Sequence, residues 1–119
     1  MFFRNALIGI ANILLVLSTS TFAADQDFLV VNNTGVEINE LYVSPSRVDD
    51  WEEDLLNGRP LRHGEDLEIT FHRKENAAKW DLKVVDHQGN SITWDDLNLL
   101  EISELTLNFK NGRAWSNAK

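Results

Sequence analysis

The chain has 119 residues, with 19 acidic against 11 basic side chains, a net charge of −8 and no cysteine. Such a charge repels phosphate backbones, which proteins grip by neutralising them with Lys and Arg, and it disfavours anionic membrane surfaces; nucleic acid is not expected as a partner, and cations or basic proteins are the natural counterparts. Without cysteine there is no disulfide, thiol catalysis, Cys-ligated zinc or iron–sulfur cluster, so core burial alone must hold the fold.

Residues 1–23 read as a secretory signal peptide. Arg4 supplies the positive charge, Ala6 to Leu17 is an apolar run broken only by Gly9 and Asn12, and Thr21-Phe22-Ala23 places small residues where a signal peptidase reads. The run is too short for a stable membrane span, which needs about 20 apolar residues, so none is expected after leader removal. The expectation is a periplasmic or secreted single domain over residues 24–119. It keeps every acidic residue and loses Arg4, moving the net charge from −8 to −9. Its length suffices for one core, since domains of about 55–65 residues already fold alone.

Phe28 to Val31 is β-prone, and Asn32-Asn33-Thr34-Gly35 is rich in residues that tolerate tight turns. Val36 to Val43 is the next extended stretch. Its apolar phase slips by one residue near Asn39, which predicts a β-bulge. The two runs with their Asn/Gly connection predict a hairpin. Pro45 stops the strand. Ser46 or Asp49 could cap a short helix with Trp51, Leu55 and Leu56 on its inner side. Asn57-Gly58 and Pro60 end it, and so short a helix needs packing to survive.

Leu67, Ile69 and Phe71 alternate with Glu68, Thr70 and His72, which predicts a half-buried strand. Arg73 to Lys79 reads as a charged loop. Trp80, Leu82 and Val84 share the inner face of the next strand, with Asp81, Lys83 and Val85 opposite. Asp86 to Asn90 is a turn into a return strand, Ser91 to Trp94, making a hairpin. Asp95 to Leu100 has helical spacing with Leu97 and Leu100 inward. Leu105, Leu107 and Phe109 mark the last strong strand, with Thr106 and Asn108 outward. Asn111-Gly112 signals a type I′ turn, after which Trp115 could pair back. Six to seven short strands with one or two helical turns predict an all-β fold, an antiparallel β-sandwich or small open barrel.

The segment Thr34 to Ser46, with Trp51, Asp54-Leu55-Leu56, Gly64, Trp80-Asp81-Leu82, Asp86, Gly89, and Glu101-Ile102-Ser103 before Leu105-Thr106-Leu107, resembles a family of small exported bacterial proteins of unknown function. Its pattern is T-G-x-x-I-x-x-L-Y-V-S-P-S, W-x-x-D-L-L, W-D-L-x-V-x-D-x-x-G and a closing L-x-x-I-S-x-L-T-L. The resemblance covers nearly all of residues 24–119. Members sometimes carry an argininosuccinate lyase label, but such lyases are large helical enzymes whose active site a small β domain cannot hold. The family commonly has Gly after the first Trp; Glu52 stands there in this chain, adding negative charge beside Asp54. The L-Y-V-S-P-S and W-x-x-D-L-L segments are also similar to those of a cyanobacterial calcium-binding protein, which implies a role for the acidic residues around Trp51.

Asp49, Asp50, Glu52, Glu53 and Asp54 lie within six positions. Ca²⁺ takes 6–8 oxygen ligands in irregular geometry, so Asp50, Glu53 and Asp54 are candidate ligands, joined by Asp95 and Asp96 if the two helical turns lie side by side. No EF-hand spacing occurs, and acidic residues in a first helical turn also suit the helix dipole without any ligand. His63, His72 and His87 have none of the spacings of a zinc site. Ser44 and Ser46 lack a nucleophile-elbow context, and side-chain bonds to local backbone are their expected role. Tyr42 and the tryptophans could line a sugar or peptide groove, although Trp51, Trp80 and Trp94 suit the core or its rim. Trp115 is the best exposed contact. The leading expectation is a non-enzymatic binding module that holds Ca²⁺ or a basic partner near Trp51. The alternative is a small hydrolase using two carboxylates.

Overall fold

A computed structural model describes residues 24–119. The leader read over residues 1–23 lies outside the described residues. Seven strands form two packed sheets: β1 (Ala24–Asn33), β2 (Ile38–Pro45), β3 (Asp66–Arg73), β4 (Trp80–Asp86), β5 (Ser91–Leu97), β6 (Glu104–Lys110) and β7 (Arg113–Ala118). One sheet has the order β3-β1-β6-β7 and the other β2-β4-β5. All pairs are antiparallel except β1 with β6. The fold is an all-β sandwich, as the strand rhythm predicts.

Period-two alternation builds the core. Phe28, Val30, Ile69, Phe71, Leu105 and Leu107 face inward from the four-stranded sheet, and Leu41, Val43, Trp80, Leu82, Val84 and Trp94 from the other. Phe71 joins the layers, its ring edge-on to Phe28 at 6.2 Å in its own sheet and to Trp80 at 5.3 Å across the interface.

The predicted hairpin between the first two runs does not form, because β1 and β2 lie in different sheets. Asn32 is the reason. It continues the inward row of Phe28 and Val30 to a fully buried position at the end of the sandwich. Its Nδ2 donates to the carbonyls of Val36 (2.8 Å) and Leu61 (2.9 Å), and its Oδ1 accepts from the Thr34 N–H (3.0 Å) and hydroxyl (2.6 Å). An amide offers two donor hydrogens and two acceptor lone pairs; here all four are used to turn the chain from one sheet to the other.

The expected bulge is present, as a register shift between Ile38 and Glu40. The two expected helical turns are not. Among the described residues there is no helix. Arg47, Asp49, Glu52 and Asn57 have φ between 53° and 66°, the left-handed region that interrupts an α-helix. Side chains and strand edges take the N–H groups a helix would use: Asp50 donates to Ser44 Oγ, Arg47 to Asp81 Oδ2 and Leu55 to the Leu41 carbonyl. Likewise Asp95 to Leu97 continue β5, and Leu99, not Leu97 or Leu100, is fully buried. Asp96 has φ 60° and gives its N–H to Asp81 Oδ1.

The 46–65 connection straps the seam between the sheets. Leu41 in β2 donates to Asp54 Oδ1 and accepts from Leu55, while Ile38 and Leu61 exchange two bonds of 2.8 Å. An edge strand left open invites pairing with other chains, and this strap closes much of β2. At the far end Asn111 and Gly112 both have positive φ, as a type I′ turn requires, and return the chain into β7.

Candidate functional site

The β3 alternation does not stop at Phe71. Arg73 is the next inward residue and is 5% exposed, whereas the sequence reads it as the start of a loop. Its Nη1 donates to the Val43 carbonyl of β2 at 2.8 Å. Its Nε and Nη2 make a two-bond fork to Glu75 at 3.1 and 3.0 Å. Asp50 lies at 3.5 Å and Glu52 at 3.3 Å from the same guanidinium, whose carbon sits 5.6 Å from the Trp80 ring centroid. Asp50, Glu52 and Glu75 bring carboxylate oxygens within 4.8 Å of one another. The bond to Arg73 holds the Glu75 carboxyl below its ordinary range.

Trp51 covers the strap beside this cluster. Its indole N–H donates to Asp49 Oδ1 at 3.1 Å, and the Lys83 ammonium lies 4.7 Å from its ring and 5.4 Å from that of Tyr42. Tyr42 donates to Glu40 Oε1 at 2.7 Å. That bond, with burial and the negative charges of Glu40 and Asp54, pushes the phenol up to about 12. A small cavity of about 20 Å³ beside Trp51 is lined by Val43, Leu55, Phe71 and Arg73 together with Glu52 and Glu53.

Of the five residues the sequence offers as cation ligands, the structure gathers Asp50 with Glu52 and Glu75. Glu53 lines the small cavity beside Trp51. Asp54 spends Oδ1 on the N–H groups of Leu41 and Leu56, both at 2.9 Å, and so braces the strap. Asp96 forms a two-bond pair with Arg47 at 3.1 and 3.0 Å. Asp95 stands near Asp81 and Asp96; burial first, then those two charges, push its carboxyl up.

Asp81, read as outward, is 8% exposed. It accepts from the Ser46 hydroxyl (2.8 Å) and the N–H groups of Arg47 and Asp96 (both 3.0 Å), fastening the β2 exit to β5. Burial pushes its carboxyl up, but these bonds outweigh burial and hold it below the usual range. Asn108, also read as outward, is 4% exposed and bonded to Asn33 and Asn117. Trp80 and Trp94 are buried with their N–H groups on the carbonyls of Ala77 and Trp115, while Trp115 itself is 40% exposed. Gly35 donates its N–H to His63 Nδ1 at 3.0 Å. No helix among the described residues is long and apolar enough to cross a membrane.

The chain matches no family model, no curated protein and no solved structure.

Proposed function

We propose that this is an exported, non-enzymatic binding module whose acidic face around Trp51 takes a basic segment of a partner protein. The observation that carries the reading is the convergence of Asp50, Glu52 and Glu75 on one guanidinium. Three carboxylates around one cation leave a local excess of negative charge; Glu75 spends both oxygens on the fork to Arg73, while Asp50 and Glu52, 52% and 47% exposed, can offer an oxygen to a second cation. Glu53 and Asp49 extend the same face. Charged groups held this way steer and orient a basic partner.

A basic side chain suits the geometry better than Ca²⁺. Arg73 already fills the middle of the carboxylate group, and Ca²⁺ at its usual 2.3–2.6 Å from several oxygens needs that guanidinium to move. Acid–base hydrolysis is supported less, because it needs one carboxyl protonated near neutral pH, whereas Arg73 holds Glu75 ionised.

Calorimetric titration with a Lys/Arg-rich peptide tests the reading. Saturable binding is expected, weakened at least roughly tenfold from low to high salt as exposed charges are screened, and weakened again in a Glu52→Gln/Glu53→Gln variant. No binding at low salt, or equal binding by that variant, overturns it. A rise in melting temperature with millimolar Ca²⁺ and no peptide binding replaces the basic partner with the metal ion.

A further inference from the structure

The opposite side of the molecule carries a second surface of different chemistry. On the outer face of the four-stranded sheet, Asn33 Nδ2 donates to Asn108 Oδ1 at 2.6 Å, and Asn108 Nδ2 donates to Asn117 Oδ1 at 3.0 Å. This amide row crosses β1, β6 and β7. Strands lie about 4.8 Å apart and residues about 3.4 Å apart along a strand, and Asn117 stands two residues along β7 from the position opposite Asn108, so the ends of the row are separated by about 12 Å. The middle amide is buried and both outer ones are exposed. The two bonds between amides run one way, and Asn108 Nδ2 also donates to the Thr106 carbonyl at 3.4 Å, so the middle amide is fully engaged within the protein. Asn33 Oδ1 is left as an acceptor at one end and Asn117 Nδ2 as donors at the other.

Trp115 stands directly opposite Asn108 in the β6–β7 register and is 40% exposed. Its neighbour on that face, Arg113, holds its guanidinium 5.6 Å from the indole centroid, and Arg113 in turn pairs in register with Lys110. Neither cation has an acidic partner among the described residues, in a chain of net charge −8. Oriented amides meet hydroxyls, which both donate and accept. An exposed indole meets the C–H face of a sugar ring. Two uncompensated cations at one end meet a carboxylate.

We propose that this face binds an oligosaccharide bearing carboxylates, such as a chain of uronic acids, with Trp115 as the stacking ring, the exposed Asn33 and Asn117 amides, held in place by the buried Asn108, on the hydroxyls and Lys110 with Arg113 on the acid. The overall negative charge does not prevent this, since at physiological salt charges beyond about 8 Å are largely screened and the local pair dominates. The surface is independent of the acidic face around Trp51.

Calorimetric titration of the protein with oligogalacturonate, beside neutral cellohexaose, tests the proposal. Saturable binding of the uronate is expected, with at least roughly tenfold weaker binding for Trp115→Ala, the scale of a lost aromatic anchor, and for Arg113→Gln. Trp115→Ala keeps the bond from Trp94, which goes to the main-chain carbonyl, so the variant should fold; unchanged circular dichroism checks it. A Glu52→Gln/Glu53→Gln variant should bind the uronate undiminished. Absence of uronate binding, equal binding of the neutral sugar, or full binding by folded Trp115→Ala each overturns the proposal.

Discussion

Arg73 and Glu75 close a two-bond fork across one intervening residue, Nε to Oε1 at 3.1 Å and Nη2 to Oε2 at 3.0 Å. The fork anchors the first turn after β3 and presents the arginine to Asp50, Glu52 and the Val43 carbonyl. Removing it strands carboxylates beside one another and leaves a buried carbonyl without a donor. Arg73→Met should therefore cost about 3 kcal/mol in chemical denaturation. Arg73→Lys retains the charge but not the planar fork and should recover only part of that loss. Full recovery by Lys contradicts the assignment of the fork.

Asn32 is the polar keystone of the β1–β2 corner. Asn32→Ala leaves the Thr34 N–H without its acceptor and takes one of two donors from each of the Val36 and Leu61 carbonyls, which keep the Thr34 hydroxyl and the Ile38 N–H; it should destabilise by about 2 kcal/mol, since an unsatisfied buried group costs roughly 1–3 kcal/mol. Asn32→Asp should be worse, because it turns an acceptor towards two carbonyls. Urea midpoints for the two variants check the order.

Glu52 occupies a left-handed backbone position, φ 55°, a conformation that Gly adopts without steric cost. A side chain there costs roughly 1–2 kcal/mol relative to Gly. Glu52→Gly relieves that strain while losing the ion pair with Arg73, so it should lie within about 1 kcal/mol of the parent. Glu52→Ala loses the pair and keeps the strain, and should be the less stable of the two. Equal stability of the two variants contradicts the backbone argument.

The pH dependence has two limbs. Asp81 and Glu75 titrate below their ordinary range in the folded protein. Their stabilisation is present above the unfolded carboxylate values near 4 and is lost as pH falls through the folded ones. Asp81→Asn should flatten the acid limb of a melting-temperature profile. Tyr42 is pushed up to about 12 by its bond to Glu40, burial and nearby negative charge. Its contribution is whole below about 10 and is lost as pH rises towards about 12. Tyr42→Phe should remove that alkaline loss.

Most of the strands were legible because alternation is a local signal. Leu67, Ile69 and Phe71, then Trp80, Leu82 and Val84, point inward as their spacing requires. Arg73 was not read correctly: it stands two positions beyond Phe71 in the same phase, but its charge placed it in a solvent-exposed loop instead of at the buried end of β3. Asn32 and Asp81 were not legible. Each is buried for partners distant in sequence, Leu61 for the one and Asp96 for the other, and no local pattern announces such a bond. The same holds for the two lost helices, whose spacing is sound but whose N–H groups go to side chains and strand edges. The acidic run around Trp51 was visible, but its convergence on Arg73 with Glu75 depends on how the strap folds over the seam.

The central claim is that this convergence forms a face for cationic partners. The most direct measurement is a ¹⁵N–¹H correlation spectrum recorded during titration with a Lys/Arg-rich peptide at low salt. The account predicts saturating shifts at the amides of Asp49 to Asp54 and of Glu75 and at the Trp51 indole N–H, all reversed by added salt. Shifts confined to other faces, or a spectrum the peptide leaves unmoved, would contradict it.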